Sequence, residues 1–475
     1  MIKAIRGTRD LLPPDTALWN FVEAAVRDVF RAYNFQEIRT PIFESTELFA
    51  RGVGEETDIV AKEMFSWEDR GGSQSENFAR ATEAAAAKWN AEAPKAASPE
   101  QFERLIKTIG GMIDEGNFFR KDAWGGQSLT LRPEATAGIV RAYIEHDLGK
   151  RGLNKLFLIG PMFRRERPQK GRYRQFYQVN AEVIGPASSG SDSPARDAEV
   201  LEMLATLLDR LGITDWNLEL NSVGCANDRA KFNEALRKAL EPVKDKMCAD
   251  CQRRAVTNPL RVFDCKVPED QPIIEKLPRI SHFLDEPCRE HFAAVQSILK
   301  AVGVEFQINS RLVRGLDYYT RTAFEFTHGA LGAQNAILGG GRYDGLSEAL
   351  GGPAAPGIGF AIGEDRLVLS LEEKTPAESV VRRPDVYVAP LGAGMNGEAA
   401  RLARELRRHD LVVELGDENF RLKKSFEAAT RAGAKYILIV GENEVKADAF
   451  ALKNLATGEQ ISVPRSELAQ KIQKG

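Results

Sequence analysis

Phe163-Arg164-Arg165-Glu166-Arg167-Pro168-Gln169-Lys170-Gly171-Arg172-Tyr173-Arg174-Gln175-Phe176 joins two strand-forming stretches, residues 156–159 and 175–184. The pattern predicts a long hairpin with a basic connection. Residues 164–174 hold six basic side chains against one acid. Arginine stays charged and grips phosphate oxygens with two parallel N–H groups, so this cluster suits a triphosphate or a nucleic-acid end; a solvated basic loop is the alternative. On the second arm, Gln178, Asn180 and Glu182 alternate with Val179, Ala181 and Val183. One face is therefore polar and the other apolar. Such a strand is either half solvated or the floor of a pocket for a polar, cationic small molecule.

On the N-terminal side of the hairpin, Leu18, Phe21, Val22, Ala25, Val26, Val29 and Phe30 recur at helical spacing and predict an amphipathic helix over 15–32. Residues 35–41 read as an extended segment ended by proline. Residues 71–126 differ in tone, Ala-rich and charged between glycine-rich joints, and read as a peripheral helical excursion. On the C-terminal side, a mainly helical region runs to about residue 310, and strand signals resume at Phe306 with Ala323-Phe324-Glu325-Phe326 and Gly339-Gly340-Gly341. Residues 371–384 read as a polar linker. Beyond it, strands at 386–388, 411–413 and 436–440 alternate with helices near 396–409 and 421–432. This alternation predicts a separate small α/β domain with a mostly parallel sheet.

A chain of 475 residues suggests several domains, and 43% hydrophobic with 28% charged residues describes a globular protein with ample core. The net charge of −3 excludes bulk attraction to nucleic acid, leaving local basic patches to do any such binding. Lys3, Arg6, Arg9 and Asp10 interrupt the opening residues, and the apolar run 436–440 is strand-sized, so a cytoplasmic protein without membrane contact is expected. Five cysteines fit a reducing compartment. Cys248-Ala249-Asp250-Cys251 with Cys265 and the more distant Cys288 could supply zinc ligands. With one CxxC and loose later spacings, reduced thiols are the favoured expectation and no protein metal site is assigned.

The quoted run resembles motif 2 of the class II aminoacyl-tRNA synthetases, and Arg-Pro-Gln-Lys-Gly-Arg-Tyr-Arg is close to the histidine-specific form. Residues 35–41 resemble motif 1, and Pro356-Gly357-Ile358-Gly359-Phe360-Ala361-Ile362-Gly363 followed by Arg366 resembles motif 3. Arg314-Gly315-Leu316-Asp317-Tyr318-Tyr319-Thr320 and Gly339-Gly340-Gly341-Arg342-Tyr343-Asp344-Gly345-Leu346 are similar to the histidyl-specific signatures. The resemblance implies an α+β class II core, an antiparallel sheet flanked by helices, over 1–221 and 310–370. A helical insertion domain at 222–309 and an anticodon-binding-like α/β domain at 385–475 complete it.

The same resemblance implies ATP-dependent ligation of L-histidine to its tRNA, magnesium carried with ATP, and a homodimer through motif 1. It assigns Arg164 and Arg314 to catalysis at the α-phosphate. Glu134, Ala135, Thr136, Gln178, Glu182, Arg314, Tyr318 and Tyr319 fall to histidine, with Glu134 and Thr136 on its ammonium and Glu182 and Tyr319 on its ring. Arg164, Glu166 and Arg366 fall to ATP, and Gln169, Lys170, Arg172 and Arg174 to the tRNA acceptor stem. The chain departs from many members at Ala135, where glycine is common, and at Tyr177, where histidine is common. One rival is the catalytically silent regulatory paralogue of histidine biosynthesis, which erodes the ATP-gripping residues and lacks the last domain. A second is a class II synthetase for another amino acid.

Overall fold

A computed structural model of the chain describes residues 2–54, 57–69, 127–166, 171–314, 316, 318–329, 336–372 and 375–474. The excursion expected at 71–126, and Gln169 and Lys170, lie outside the described residues. The chain divides into two compact units, Met1–Pro376 and Ala377–Gly475. No helix among the described residues is long and apolar enough to cross a membrane.

The first unit holds β1 (Gln36–Glu37), β2 (Phe43–Ser45), β3 (Phe65–Asp69), β4 (Gln127–Leu131), β5 (Asn154–Phe163), β6 (Gln175–Ile184), β7 (Trp216–Ser222), β8 (Gln307–Ile308), β9 (Thr320–His328), β10 (Ala336–Arg342) and β11 (Gly357–Gly363). Eight of these form one sheet in the order β1-β5-β6-β11-β10-β9-β7-β8. Its interior is antiparallel, and only the outermost pairs, β1 with β5 and β7 with β8, are parallel. The hairpin read from the sequence is β5–β6, in register from Asn154 opposite Ile184 to Phe163 opposite Gln175.

The first helix spans Asp15–Ala32 and buries Leu18, Trp19, Val22, Val26, Val29 and Phe30. Phe21, counted in the sequence on the apolar stripe, is 39% exposed. With Trp19 in its place, the centre of the buried face turns by roughly a tenth of the helix circumference, since successive residues advance about 100°. The helix lies on the sheet through Phe30, whose ring meets Phe157 of β5 and Phe360 of β11 edge-on at 5.3 and 5.9 Å.

β2, β4 and β3 form a separate antiparallel sheet. Between β7 and β8 the chain is helical, with Phe232, Leu236, Leu240, Val262, Phe263 and Leu284 in a core of its own. The end of this range belongs to the main core, however. Helix Glu286–Ala301 sends His291 to Asp197 on helix Pro194–Arg210 at 2.8 Å, and β8 extends the main sheet beside β7.

In the second unit, β12 (Val386–Leu391), β13 (Val413–Leu415), β14 (Tyr436–Gly441), β15 (Ala449–Asn454) and β16 (Gln460–Pro464) order as β13-β12-β14-β15-β16. The first three are parallel, but β15 and β16 add antiparallel pairs. The sheet is thus mixed rather than mostly parallel. These last strands escaped the sequence reading because Lys453, Asn454 and Gln460 dilute their apolar alternation, leaving Phe450, Leu452 and Val463 to carry the burial.

Arg342, at the end of β10, is fully buried and pairs with Asp197, which also accepts from His291 Nε2 and, at 2.6 Å, from Thr322 Oγ1. Asp197→Ala would strand the guanidinium in the core. The expected loss is about 3–5 kcal/mol, read from denaturant midpoints of the full chain. A change below about 1 kcal/mol, the worth of a surface ion pair, would show that Arg342 finds other partners.

Candidate active site

Antiparallel registration places direct partners on the same face of a sheet. Across the middle of the main sheet one row therefore runs Asn180, Ala361, Gly339, Glu325, and the next runs Glu182, Gly359, Gly341, Ala323. Small residues occupy the centre and polar ones the flanks. The result is a trough floored by backbone. Two glycines are required by the side chains that cross it. A Cβ on Gly359 would come within 1.6 Å of Glu182 Oε2, and one on Gly339 within 2.5 Å of Arg314 Nη1.

The cleft above this floor measures about 380 Å³, and its walls carry both signs of charge. Arg164, Arg172, Arg314 and Arg366 contribute cations, and Glu134, Glu166 and Glu325 carboxyl groups. Arg314 Nη1 donates to Glu325 Oε2 at 2.8 Å, and its guanidinium lies 5.9 Å from the centre of the Tyr319 ring. Burial works against the Arg314 charge, but Tyr319 and Glu325 outweigh it and hold the group above its ordinary pKa. Arg164 Nε donates to the Pro133 carbonyl at 2.9 Å, with the guanidinium 5.2 Å from the Phe176 ring centre. Arg366 Nη1 donates to the Ala336 carbonyl at 2.8 Å; burial and the neighbouring Arg172 lower its pKa.

The floor's polar side chains are buried, so the half-solvated alternative for the 175–184 strand is excluded: Asn180 is 1% and Glu182 0% exposed. Among the described residues, Gln178 Oε1, Asn180 Nδ2, Glu182 Oε2 and Arg314 Nε find no hydrogen-bond partner. A cluster of such atoms in one place suits a polar ligand that supplies the missing bonds. Burial pushes the Glu182 carboxyl up to about 8, although the Thr136 hydroxyl, 2.7 Å from Oε1, opposes the shift. Glu134 is raised by burial too, against the Ala137 and Thr136 N–H groups that its carboxylate accepts at the start of helix Thr136–Glu145.

The family model described as histidyl-tRNA synthetase matches residues 95–367, and the anticodon binding domain model matches 385–475. A histidine–tRNA ligase of Koribacter versatilis (strain Ellin345) is 65% identical over 99% of this chain and 95% of its own length. One of Solibacter usitatus (strain Ellin6076) is 51% identical over 99% of each. The solved apo histidyl-tRNA synthetase of S. aureus aligns over 100% of both chains with a TM-score of 0.73 and 32% identity. The chain belongs to the histidyl-tRNA synthetase family.

Not every residue that the family resemblance assigned reaches the cleft. Glu134, Thr136, Arg164, Glu166, Arg172, Gln178, Arg314, Tyr318, Tyr319 and Arg366 line it. Glu182 is not on the wall but is buried in the floor, where its Oε1 accepts from the Thr136 hydroxyl. Ala135 faces the other way, 1% exposed in an apolar cluster with Ile139, Leu156 and Leu158, because it precedes a helix whose first turn packs on β5. The main-chain N–H and carbonyl of Arg174 bond Gly7 and Arg164, and its side chain is not on the cleft wall. Tyr177, a departure from the family pattern, is on the wall, with its ring against Trp19 at 5.5 Å. The sequence reading passed over Glu325 as a site residue. A lone carboxylate alternating with Phe324 and Phe326 was the available signal, but its partner Arg314 comes from a separate loop.

Raising the folded-state pKa of Glu182 makes stability depend on pH. Below about pH 4.5 both folded and unfolded chains hold the proton. Between 4.5 and about 8 the unfolded chain releases it and the folded chain keeps it, so this contribution to stability falls as pH rises and is lost above about 8. Glu182→Gln cannot titrate. Its melting temperature relative to wild type should rise steadily from pH 5 to pH 8, measured by thermal unfolding; a pH-independent difference would mean that Glu182 is ionised in the free protein.

Proposed function

We propose that the cleft carries out both half-reactions of histidine–tRNA ligation, with Arg164 and Arg314 flanking the reacting phosphate. The chain is an ATP-dependent ligase of the class II synthetases, specific for histidine. The observation that supports this reading is the meeting of Arg164, Arg314 and Arg366 in one cleft with a buried, partner-seeking Glu182 beneath them. ATP brings its own magnesium, a hard cation that prefers oxygen donors; Glu166 and Glu325 are the carboxylates beside the arginines that could help hold it.

In the first half-reaction the histidine carboxylate attacks the α-phosphorus and the bond to pyrophosphate breaks. Both reactants are anionic, so fixed cations at the equatorial oxygens lower the barrier. Arg164 and Arg314 serve there, and Arg366 takes the γ-phosphate end. Glu134 holds the histidine ammonium, with Thr136 beside it. Because the Thr136 hydroxyl is bonded to Glu182, Thr136 also orients the carboxyl that meets the ring. An imidazole has two nitrogens on different edges, and Glu182 with Tyr319 offers a partner to each, which a side chain of similar size without those nitrogens would leave unsatisfied. In the second half-reaction a ribose hydroxyl of the terminal adenosine attacks the activated carbonyl and AMP leaves. Arg172 and Arg174 would meet the acceptor stem, the role that the family resemblance also gives to Gln169 and Lys170.

Two further parts of the reading concern partners. The 385–475 unit would bind the anticodon. A homodimer would form through the motif 1 side, where Ile42, Phe43 and Trp67 are 45%, 49% and 41% exposed on and beside the small β2-β4-β3 sheet. The regulatory-paralogue alternative is disfavoured by the retained arginines and by the second unit.

If Arg314 acts on charge that develops as pyrophosphate departs, its benefit appears mainly in the transition state. Arg314→Ala should slow single-turnover adenylate formation by at least about a hundredfold, with a smaller effect on histidine binding. Lysine should rescue poorly, since a point charge lacks the planar fork. A near-normal rate with collapsed histidine affinity would instead make Arg314 a substrate-holding residue. Separately, removing residues 377–475 should depress tRNA charging far more than histidine-dependent pyrophosphate exchange. Equal loss of both in a folded, dimeric truncation would refute the modular arrangement.

A further inference from the structure

The helical segment between β7 and β8 gathers side chains that the ligation chemistry does not use. Cys248 caps helix Ala249–Thr257 and Cys251 lies in its first turn, so the two sulfurs emerge on the same side. Cys265 follows the tight turn Pro259–Asp264, and Asp270 ends the turn Pro268–Asp270. One donor atom from each of these four residues lies within 4.8 Å of the other three. Cys248 Sγ is 3.9 Å from Cys265 Sγ, and Cys265 Sγ is 3.2 Å from Asp270 Oδ2.

The two spacings are close to edges of a tetrahedron around a small ion. With zinc–sulfur bonds of about 2.3 Å and a zinc–oxygen bond of about 2.1 Å, the edges are about 3.8 Å between sulfurs and about 3.6 Å between sulfur and oxygen. The sulfur pair already sits near that spacing, and the sulfur–carboxylate pair a few tenths of an ångström inside it. Burial adds an independent argument. Cys251, Cys265 and Asp270 are 0%, 6% and 1% exposed. Asp270 accepts the Cys248 N–H and lies against the thiols, and among the described residues no Lys or Arg forms an ion pair with it. A buried carboxylate is ordinarily paired with a cation or bound to a metal. None of the cysteines is in a disulfide.

A second group, Cys225, Asp228, Asp285 and Cys288, is equally close-set but chemically weaker. It has two sulfurs rather than three. Three thiolates with one carboxylate select a borderline-soft tetrahedral ion, whereas magnesium and calcium prefer all-oxygen shells.

We propose that Cys248, Cys251, Cys265 and Asp270 form a closed structural zinc site that staples residues 248–270 together. Cys288, weighed with these cysteines on sequence alone, is not part of it. The staple encloses the turn Pro259–Asp264, and this turn touches the active-site loop: Arg261 Nη1 donates to the main-chain carbonyl of Arg314 at 3.4 Å. An ion holding that turn would hold the ground on which Arg314 rests.

The full chain, purified without chelator, should contain about one zinc per protomer, as a single four-ligand site requires, measured by atomic emission. After chelation under reducing conditions, added cobalt(II) should give the intense visible bands of a tetrahedral, thiolate-ligated ion, and zinc should displace it. Cys251→Ser should abolish zinc content and cobalt spectrum, and Cys288→Ser should leave both intact. Zinc removal should slow adenylate formation and zinc should restore it. Wild-type chain with neither bound zinc nor a tetrahedral cobalt spectrum overturns the site, whatever the variants do. Signals lost in Cys288→Ser but kept in Cys251→Ser overturn its location, and an adenylation rate unaffected by zinc overturns the coupling to Arg314.

Discussion

Arg342 and Asp197 are both withdrawn from solvent, and the main sheet with two of its covering helices is organised around their pairing. Asp197 belongs to helix Pro194–Arg210, Arg342 to the end of β10, His291 to helix Glu286–Ala301 and Thr322 to β9. Ser191 and Asp344 take the remaining guanidinium donors at 2.7 and 3.0 Å. Desolvating two charges is costly unless each bond is satisfied, and here the charges are tied on several sides. The consequence is positional. β10 is held at its exit, so the residues before Arg342 floor the active site and Tyr343 after it packs beneath the Gly357 backbone and beside Tyr318.

That floor has a stability cost. Glycine in a strand interior gives up about 0.5–1 kcal/mol relative to alanine, and each buried polar atom without a protein partner costs about 1–3 kcal/mol. The trough carries both penalties, at Gly339 and Gly359 and at Gln178, Asn180 and Glu182. Larger side chains would close the trough against the backbone and leave Glu182 and Arg314 no room. The surrounding core, including Phe30, Phe157, Phe324, Phe326 and Phe360, supplies the apolar burial that makes such a floor tolerable.

Electrostatics divides the cleft. Burial dominates at Glu182 and pushes its carboxyl up to about 8, whereas Tyr319 and Glu325 hold Arg314 above its ordinary value. A buried carboxyl and a guanidinium are thus each biased toward one state by their local surroundings. The same sorting operates in the helical segment, where three thiols and Asp270 share a buried corner. Both places lie outside the reach of simple hydropathy, because neither is decided by how apolar a residue is.

The sequence by itself determined what local periodicity and short-range order control. The helix over 15–32, the basic hairpin between 154 and 184, the alternation of Gln178, Asn180 and Glu182, and the switch of pattern beyond residue 384 are all repeats of neighbouring residues, whose period follows from backbone geometry. The family motifs are likewise contiguous strings. Tertiary structure alone decided which of these residues meet. It paired Arg314 with Glu325, turned Ala135 away from the cleft, bonded Glu182 to Thr136, brought Tyr177 onto the wall and converted Arg342 from signature residue to buried anchor. It also separated Cys288 from Cys248, Cys251 and Cys265, and set Asp270 beside those three. These outcomes depend on strand register and on loops that close over long sequence separations, and no local pattern encodes a distance between residues that only the completed sheet brings together.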